Sequence, residues 1–332
     1  MIDGPIRTKS TTLMNRPLSL ALLCLPLSAC SLDSSAPQEN ARSSAARVTA
    51  SYSLTNWMGS LDDGTSLSAI SIPGSHESGS TIEPFPGTAA CQNLSIGNQL
   101  AAGVRYFDIR CVNVDNAFLI QHGVIFQDLD FGDVVSAMFS FLSANPSETI
   151  LMNVKEEEPE EGSSNTFEQT FDSYVAENPN GWYLADSVPN LGDVRGKIVL
   201  FRRFSAESLP LGVDVTDWGN NEAFAIAGDA QLQIEDDYIV TSTSSKWNDV
   251  TANLNAASRS GGSGTVYLTF TSGYENWGLF GVSIPDITAV SNVINPDLTS
   301  YFQSNTSGMF GITAMDFVDS GKASLIIATN FN

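Results

Sequence analysis

The chain has 332 residues, 42% of them hydrophobic and 9% aromatic, enough to bury a large core and unlike a disordered or fibrous composition. Its formal charge of -22, from 37 acidic against 15 basic residues, excludes a phosphate-backbone binder, so no nucleic-acid partner is expected. The same sign opposes electrostatic adsorption to an anionic bilayer and leaves local apolar contact as the route to a membrane surface.

In chain order, the first segment does not read as part of the fold. Arg7, Lys9 and Arg16 precede the apolar run Leu18 to Leu27, which is too short to span a bilayer and reads as an export signal over residues 1–30. Its end, Leu27-Ser28-Ala29-Cys30, resembles a bacterial lipobox, which would make Cys30 a lipidated first residue. Residues 31–53 read as a flexible tether, rich in serine and alanine. The protein is therefore expected outside the cytoplasm, lipid-anchored to the cell envelope or freely secreted. Beyond the signal only Cys91 and Cys111 remain, an even pair in an exported chain, which suggests one disulfide.

From residue 54 to 332 there is no repeat and no linker, so a single domain is expected. Strand patterns fall at Ala69 to Ile72, Val104 to Ile109, Ala117 to Ile120, Thr149 to Val154, Lys197 to Phe201, Ala223 to Ile234 in one or two pieces, Thr265 to Phe270, and Met309 to Met315. Helical patterns fall at Ile96 to Ala102, Phe131 to Ala144, Ser164 to Ala176, Ser244 to Arg259, and Pro285 to Phe302. Strands alternating with helices imply a largely parallel sheet. About eight strands in a domain of this size, without a glycine-rich nucleotide loop, favour an α/β fold closed as a distorted TIM (β/α)8-type barrel.

A barrel places its chemistry past the C-terminal ends of its strands. His76 follows "ISIPG", Arg110 ends "RYFDIR", His122 follows "FLIQ", Lys155 and Glu157 follow "ILMNV", Arg203 follows "KIVLFR", and Asp316 ends "GITAMD". The strand period of two also puts Asp108 with Arg110, and Lys155 with Glu157, on shared faces. "GSHESG" is not H-E-x-x-H, no G-x-S-x-G elbow occurs, and two histidines without a cysteine cluster supply few nitrogen or sulfur ligands, so neither a metal nor a cofactor is expected. What two histidines do supply is a general base and a general acid. An arginine beside them grips a phosphate and stabilises charge on its non-bridging oxygens. Together they make a phosphodiester-transfer set.

With those residues in place, the chain from Trp57 to about Val318 resembles the bacterial phosphatidylinositol-specific phospholipases C of the metal-independent type. The resemblance is carried by "NWMGSL", "ISIPGSHESG", "GVRYFDIR", "QHG", "NPSETILMNVKEE", "GDVRGKIVLFRRFS", "EDDY", "YLTFTS" and the strand ending in Asp316, in that order. It implies a distorted TIM barrel, His76 as general base, His122 as general acid, Arg110 on the phosphate and Asp316 orienting the base. It further implies Lys155, Glu157, Arg203 and Asp236 as inositol ligands, with Tyr238 stacking on the ring. The implied reaction is attack of the inositol 2-hydroxyl on phosphorus, releasing diacylglycerol and inositol 1,2-cyclic phosphate from phosphatidylinositol in membranes.

Three departures stand out: Glu77 where the family usually carries aspartate, Cys111 in place of a common glycine, and no tryptophan on the first interfacial helix. The second interfacial loop survives as "GYENWGLFG", whose Trp277 and Phe280 suit transient contact with a membrane. A monomer is expected. Glycosylphosphatidylinositol anchors are a further substrate only if there is room beyond the inositol. Two other readings stay open: a calcium-dependent phosphodiesterase of the same superfamily, using Glu77 and Asp108, and a non-catalytic inositol-lipid binding module.

Overall fold

The structure, a computed structural model, describes residues 52–279 and 282–332. The export segment, Cys30, the tether up to Ser51, and Phe280 lie outside the described residues. Among the described residues no helix is long and apolar enough to cross a membrane.

In chain order the strands are Ile72–Ser75 (β1), Tyr106–Val114 (β2), Ala117–His122 (β3), Ile125–Asp130 (β4), Ile150–Glu156 (β5), Trp182–Tyr183 (β6), Ile198–Arg203 (β7), Val213–Asp214 (β8), Glu222–Ala227 (β9), Gln231–Asp236 (β10), Thr265–Phe270 (β11), Glu275–Leu279 (β12), Val282–Asp286 (β13) and Ile312–Met315 (β14). The helices are Ile96–Ala101 (α1), Phe131–Ala144 (α2), Phe167–Glu177 (α3), Leu191–Val194 (α4), Thr243–Ser260 (α5), Ile287–Ser304 (α6) and Ser320–Ala328 (α7). The strand β4, the hairpin β12–β13 and the final helix α7 carry no clear period in the sequence and were not expected. Helix α3 begins three residues later than its pattern suggests, because Thr166 and Gln169 close a capping box there: the Gln169 N–H donates to Thr166 Oγ1 and the Thr166 N–H to Gln169 Oε1.

The main path of the sheet runs β6-β7-β5-β2-β1-β14-β11-β10-β9, parallel from β6 to β10 and antiparallel at β9, with β3 and β4 added antiparallel beyond β2. The first and last barrel strands, β1 and β14, pair in parallel from Ile72–Ile312 to Ser75–Met315, which is the closure a barrel requires. Among the described residues, backbone pairing does not link the β6–β7–β8 group to β9. The expected barrel is thus an incomplete one, with its seam in the middle of the chain order.

Alternation along each strand separates two apolar layers. Tyr106, Leu151, Val199, Phe201, Leu232, Leu268, Phe270 and Ile312 pack together in one cluster, while Phe107, Ile109, Met152, Val154 and Leu200 pack with α2 and α3 in another. The first cluster fills the barrel interior, and the second lies between sheet and helices. Towards the C-terminal ends the inward positions turn polar, through Asp108 and Arg110 on β2, Asn153 and Lys155 on β5, Arg203 on β7 and Asp236 on β10.

That alternation also overturns the expected disulfide. Cys91 and Cys111 are both free, buried thiols. Arg110 faces inward, so Cys111 faces outward and joins the helix-side core, while the Cys91 sulfur lies within 4.8 Å of a ring nitrogen of His76. Burial pushes both thiols well above the ordinary cysteine range.

Candidate active site

His76 leaves β1 at its C-terminal end, and the loop that follows is pinned on both sides. Gln92 donates its side-chain amide to the carbonyls of His76 (2.7 Å) and Met315 (2.8 Å), and its own oxygen accepts from the Val318 N–H (3.0 Å), which ties the ends of β1 and β14 together. His76 Nδ1 then lies 2.8 Å from Asp316 Oδ1. A carboxylate can only accept, so Nδ1 carries the proton and Nε2 presents a lone pair. Burial would lower the His76 pKa, but Asp316 more than offsets this by charge and hydrogen bond, and the imidazole is raised above its ordinary value.

Arg110 fills the centre. Its Nη2 is 3.2 Å from His76 Nε2, its Nε and Nη2 each lie 3.3 Å from Asp108 Oδ2, its Nη1 is 2.8 Å from Glu77 Oε1, and Glu157 Oε2 is 3.6 Å from Nη1. The N–H bonds of Nη1 do not point at Glu77 Oε1, which is buried without an aligned donor and is held by charge. Burial would lower the guanidinium's pKa, but the surrounding carboxylates raise it instead, and it is a fixed positive charge. Asp108, against the same burial penalty, is held well below the ordinary carboxylate range by Arg110 and His76, with Asn153 donating to its Oδ1 at 2.8 Å.

His122 arrives by a route the sequence did not reveal. Its strand β3 runs antiparallel to β2, pairing Cys111 with Ile120 and Val114 with Ala117, so it is no barrel strand. Instead β2 overshoots the barrel and β3 returns, which delivers His122 back to the rim. Its Nδ1 donates to the Ala89 carbonyl at 2.6 Å, with Ser80 Oγ at 3.3 Å, and its Nε2 faces Glu77 Oε1 at 3.8 Å. The Gly123 N–H donates to Glu157 Oε1 at 3.3 Å and fastens the turn to the end of β5. Gly79, on the loop after β1, packs so closely on this hairpin that a Cβ there would meet Ile120 Cγ2 at 2.6 Å.

Beside this group stand the expected ring ligands. Lys155 Nζ lies 2.6 Å from Glu157 Oε2; burial and then Arg110 lower the lysine, while Arg110 and Lys155 override burial to bring Glu157 down to about 2. Arg203 stacks on Trp218 at 3.9 Å from the ring centroid, and Trp218 Nε1 donates to Asp236 Oδ2 at 2.9 Å. Trp218 thus orders two of these residues at once, through a cation–π contact and a hydrogen bond. Sequence reasoning missed it, because a lone tryptophan in a loop has no period to mark it. Tyr238 donates its hydroxyl to Asn220 Oδ1 at 2.7 Å.

His76, Glu77, Arg110, His122, Lys155, Glu157, Arg203, Asp236 and Tyr238 all line one cavity of about 560 Å³. Asp316 stands behind His76, 1% exposed. Trp277, on β12, is 46% exposed rather than packed in the core.

Two imidazoles and a guanidinium around one cavity, His122 brought to it by a hairpin appended to the barrel, define a phosphodiester-transfer enzyme. Residues 65–204 match the family model described as phosphatidylinositol-specific phospholipase C, X domain. A 1-phosphatidylinositol phosphodiesterase of Staphylococcus aureus (strain Newman) is 30% identical over 284 residues, which cover 80% of this chain and 89% of that one. One from Listeria monocytogenes serovar 1/2a is 32% identical over 221 residues, 63% of this chain and 66% of that one. Among solved structures, a phosphatidylinositol-specific phospholipase C of S. aureus superposes with a TM-score of 0.75 at 30% identity, covering 84% of this chain and 98% of its own. The Listeria monocytogenes enzyme gives 0.67 at 25%, covering 84% and 99%. The chain belongs to the phosphatidylinositol-specific phospholipase C family.

Proposed function

We infer that the protein is a phosphatidylinositol-specific phospholipase C, a phosphorus–oxygen lyase that needs no metal. Supporting this most directly is His76, with Nδ1 on Asp316 (2.8 Å) and Nε2 beside Arg110 (3.2 Å), in the cavity that His122 also lines. In the proposed reaction His76 Nε2 takes the proton of the inositol 2-hydroxyl, whose oxygen bonds to phosphorus. The bond from phosphorus to the diacylglycerol oxygen breaks, and protonated His122 gives its Nε2 proton to that oxygen. Arg110 neutralises charge growing on the non-bridging oxygens. Lys155, Glu157, Arg203 and Asp236 bond the ring hydroxyls, and Tyr238 supports the ring face.

The calcium-dependent reading is disfavoured by Arg110, a fixed cation ringed by Glu77, Asp108 and Glu157 where acidic ligands would gather the ion. The non-catalytic reading is disfavoured by Glu77, which keeps its contact with Arg110 despite the longer side chain. Phosphorus NMR of phosphatidylinositol vesicles incubated with the protein in EDTA is expected to show a cyclic phosphodiester. No turnover there, with activity restored by calcium, would reverse the assignment.

Membrane docking is proposed to use Trp277, whose exposure on a hairpin beside the cavity suits an interface. Trp277→Ala should lower turnover of vesicle substrate while sparing a soluble monomeric one; equal losses on both would remove that role. Export, with Cys30 lipidated, is proposed from the leader composition alone. The same NMR assay on a glycosylphosphatidylinositol anchor decides the finer substrate range, and size-exclusion chromatography the monomer.

A further inference from the structure

Cys91 is a fully buried thiol beside His76, and the proposed chemistry does not use it. Its N–H donates to the Ser80 carbonyl (3.0 Å) and its carbonyl accepts from the Phe317 N–H (2.7 Å), which wedges it between the loops after β1 and β14. Its Sγ, a ring nitrogen of His76 and a carboxylate oxygen of Asp316 all lie within 4.8 Å of one another. The sulfur makes one weak contact as a donor, to the Ala89 carbonyl at 3.7 Å, so its lone pairs are unengaged.

We propose that His76, Cys91 and Asp316 form an inhibitory site for a borderline-soft divalent cation of the zinc class. One nitrogen, one sulfur and one oxygen suit such an ion, whereas calcium and magnesium take oxygen ligands. Tetrahedral bonds of about 2.0 Å to nitrogen and oxygen and about 2.3 Å to sulfur set ligand atoms roughly 3.3 to 3.5 Å apart. The three groups reach that spacing by shifts of about an ångström or less. A thiolate and a carboxylate neutralise the ion, and the fourth position is left to a water. Burial, and after it Asp316 and Glu77, push the Cys91 thiol up; the same carboxylates favour a cation that takes the place of its proton.

Binding releases the thiol proton to solvent and forms the metal–sulfur bond. The metal takes the Nδ1 lone pair, and the imidazole stays neutral with its proton moved to Nε2. The nitrogen that should accept the substrate proton is then already protonated, and turnover stops. The inhibition rests on the proposed role of His76, whereas the binding does not.

Two readouts separate these. Cadmium titration of the purified protein reports a sulfur-to-metal charge-transfer band, and phosphatidylinositol cleavage is followed against added zinc. The wild type and Cys111→Ser are expected to show the band and lose activity, which EDTA restores. Cys91→Ser, active without metal, should lose the band and need at least about 10-fold more zinc for half-inhibition, the loss that even a residue supporting a ligand from behind can cause. A band that survives in Cys91→Ser, no band in the wild type, or equal zinc sensitivity of both overturns the site. A band without inhibition overturns its effect on His76.

Discussion

His76 and His122 face the same cavity from elements of different kinds. His76 ends a strand paired on both sides, with β14 and with β2, and its ring is locked to the buried carboxylate of Asp316. His122 ends a hairpin appended to β2, is 24% exposed against 13% for His76, and rests on a neutral backbone carbonyl. The proposed base is held by charge in the wall, and the proposed acid by a neutral acceptor at the rim, where the diacylglycerol of the proposed reaction would depart. An aspartate behind the ring stabilises the imidazolium that a base becomes; a carbonyl fixes orientation without that bias.

Removing either imidazole gives the largest expected effect. His76→Ala and His122→Ala should each lower kcat by about 10²-fold to 10⁴-fold, measured on phosphatidylinositol vesicles. The comparison sharpens with a substrate whose leaving group needs no protonation: His122→Ala should recover much of its loss there, and His76→Ala none. Recovery by both, or by neither, would break the division into acid and base.

A smaller effect tests the charge behind the base. As the proposed base His76 would work when neutral, and Asp316 raises its pKa against burial, so the acid limb of the pH profile for kcat/KM should lie above the ordinary imidazole value of about 6.5. Asp316→Asn removes the raising charge: the limb moves to lower pH, while the plateau falls roughly 10- to 100-fold as the imidazolium loses its partner. An unmoved limb would show that another group sets it.

The same two regions mark how much the sequence disclosed. The parallel strands and their polar C-terminal ends were legible because inward positions alternate and change from apolar to charged along each strand, as in Tyr106, Asp108 and Arg110. His122 was expected at a strand end and is at one, but nothing in "FLIQH" distinguishes a barrel strand from the return arm of a hairpin. Pairing direction is set by distant partners. The disulfide failed for a reason the sequence did contain, since an inward Arg110 requires an outward Cys111, and counting cysteines ignored the alternation. Counting also hid the approach of Cys91 to His76, because it treats residues far apart in the chain as unrelated.

Glu77 joins the two regions and gives the smallest expected change. It is 2% exposed, lies between Arg110 and His122, and adopts φ of +42°, a left-handed conformation that aspartate tolerates better than glutamate. Burial raises its carboxyl above the ordinary range, an effect Arg110 offsets only in part, and the side chain reaches both Arg110 and His122. Glu77→Asp keeps the charge, relieves the backbone and withdraws the carboxylate by one methylene from both neighbours. The expected result is an unchanged or slightly higher Tm, with kcat/KM within about 10-fold of the wild type, about 1.4 kcal/mol of barrier. Glu77→Gln keeps the reach and removes the charge, leaving Arg110 undercompensated in a buried site, and should fall below Glu77→Asp. The opposite order would mean that length, not charge, couples the wall to the rim, and that the extra methylene is matched to the position of the hairpin.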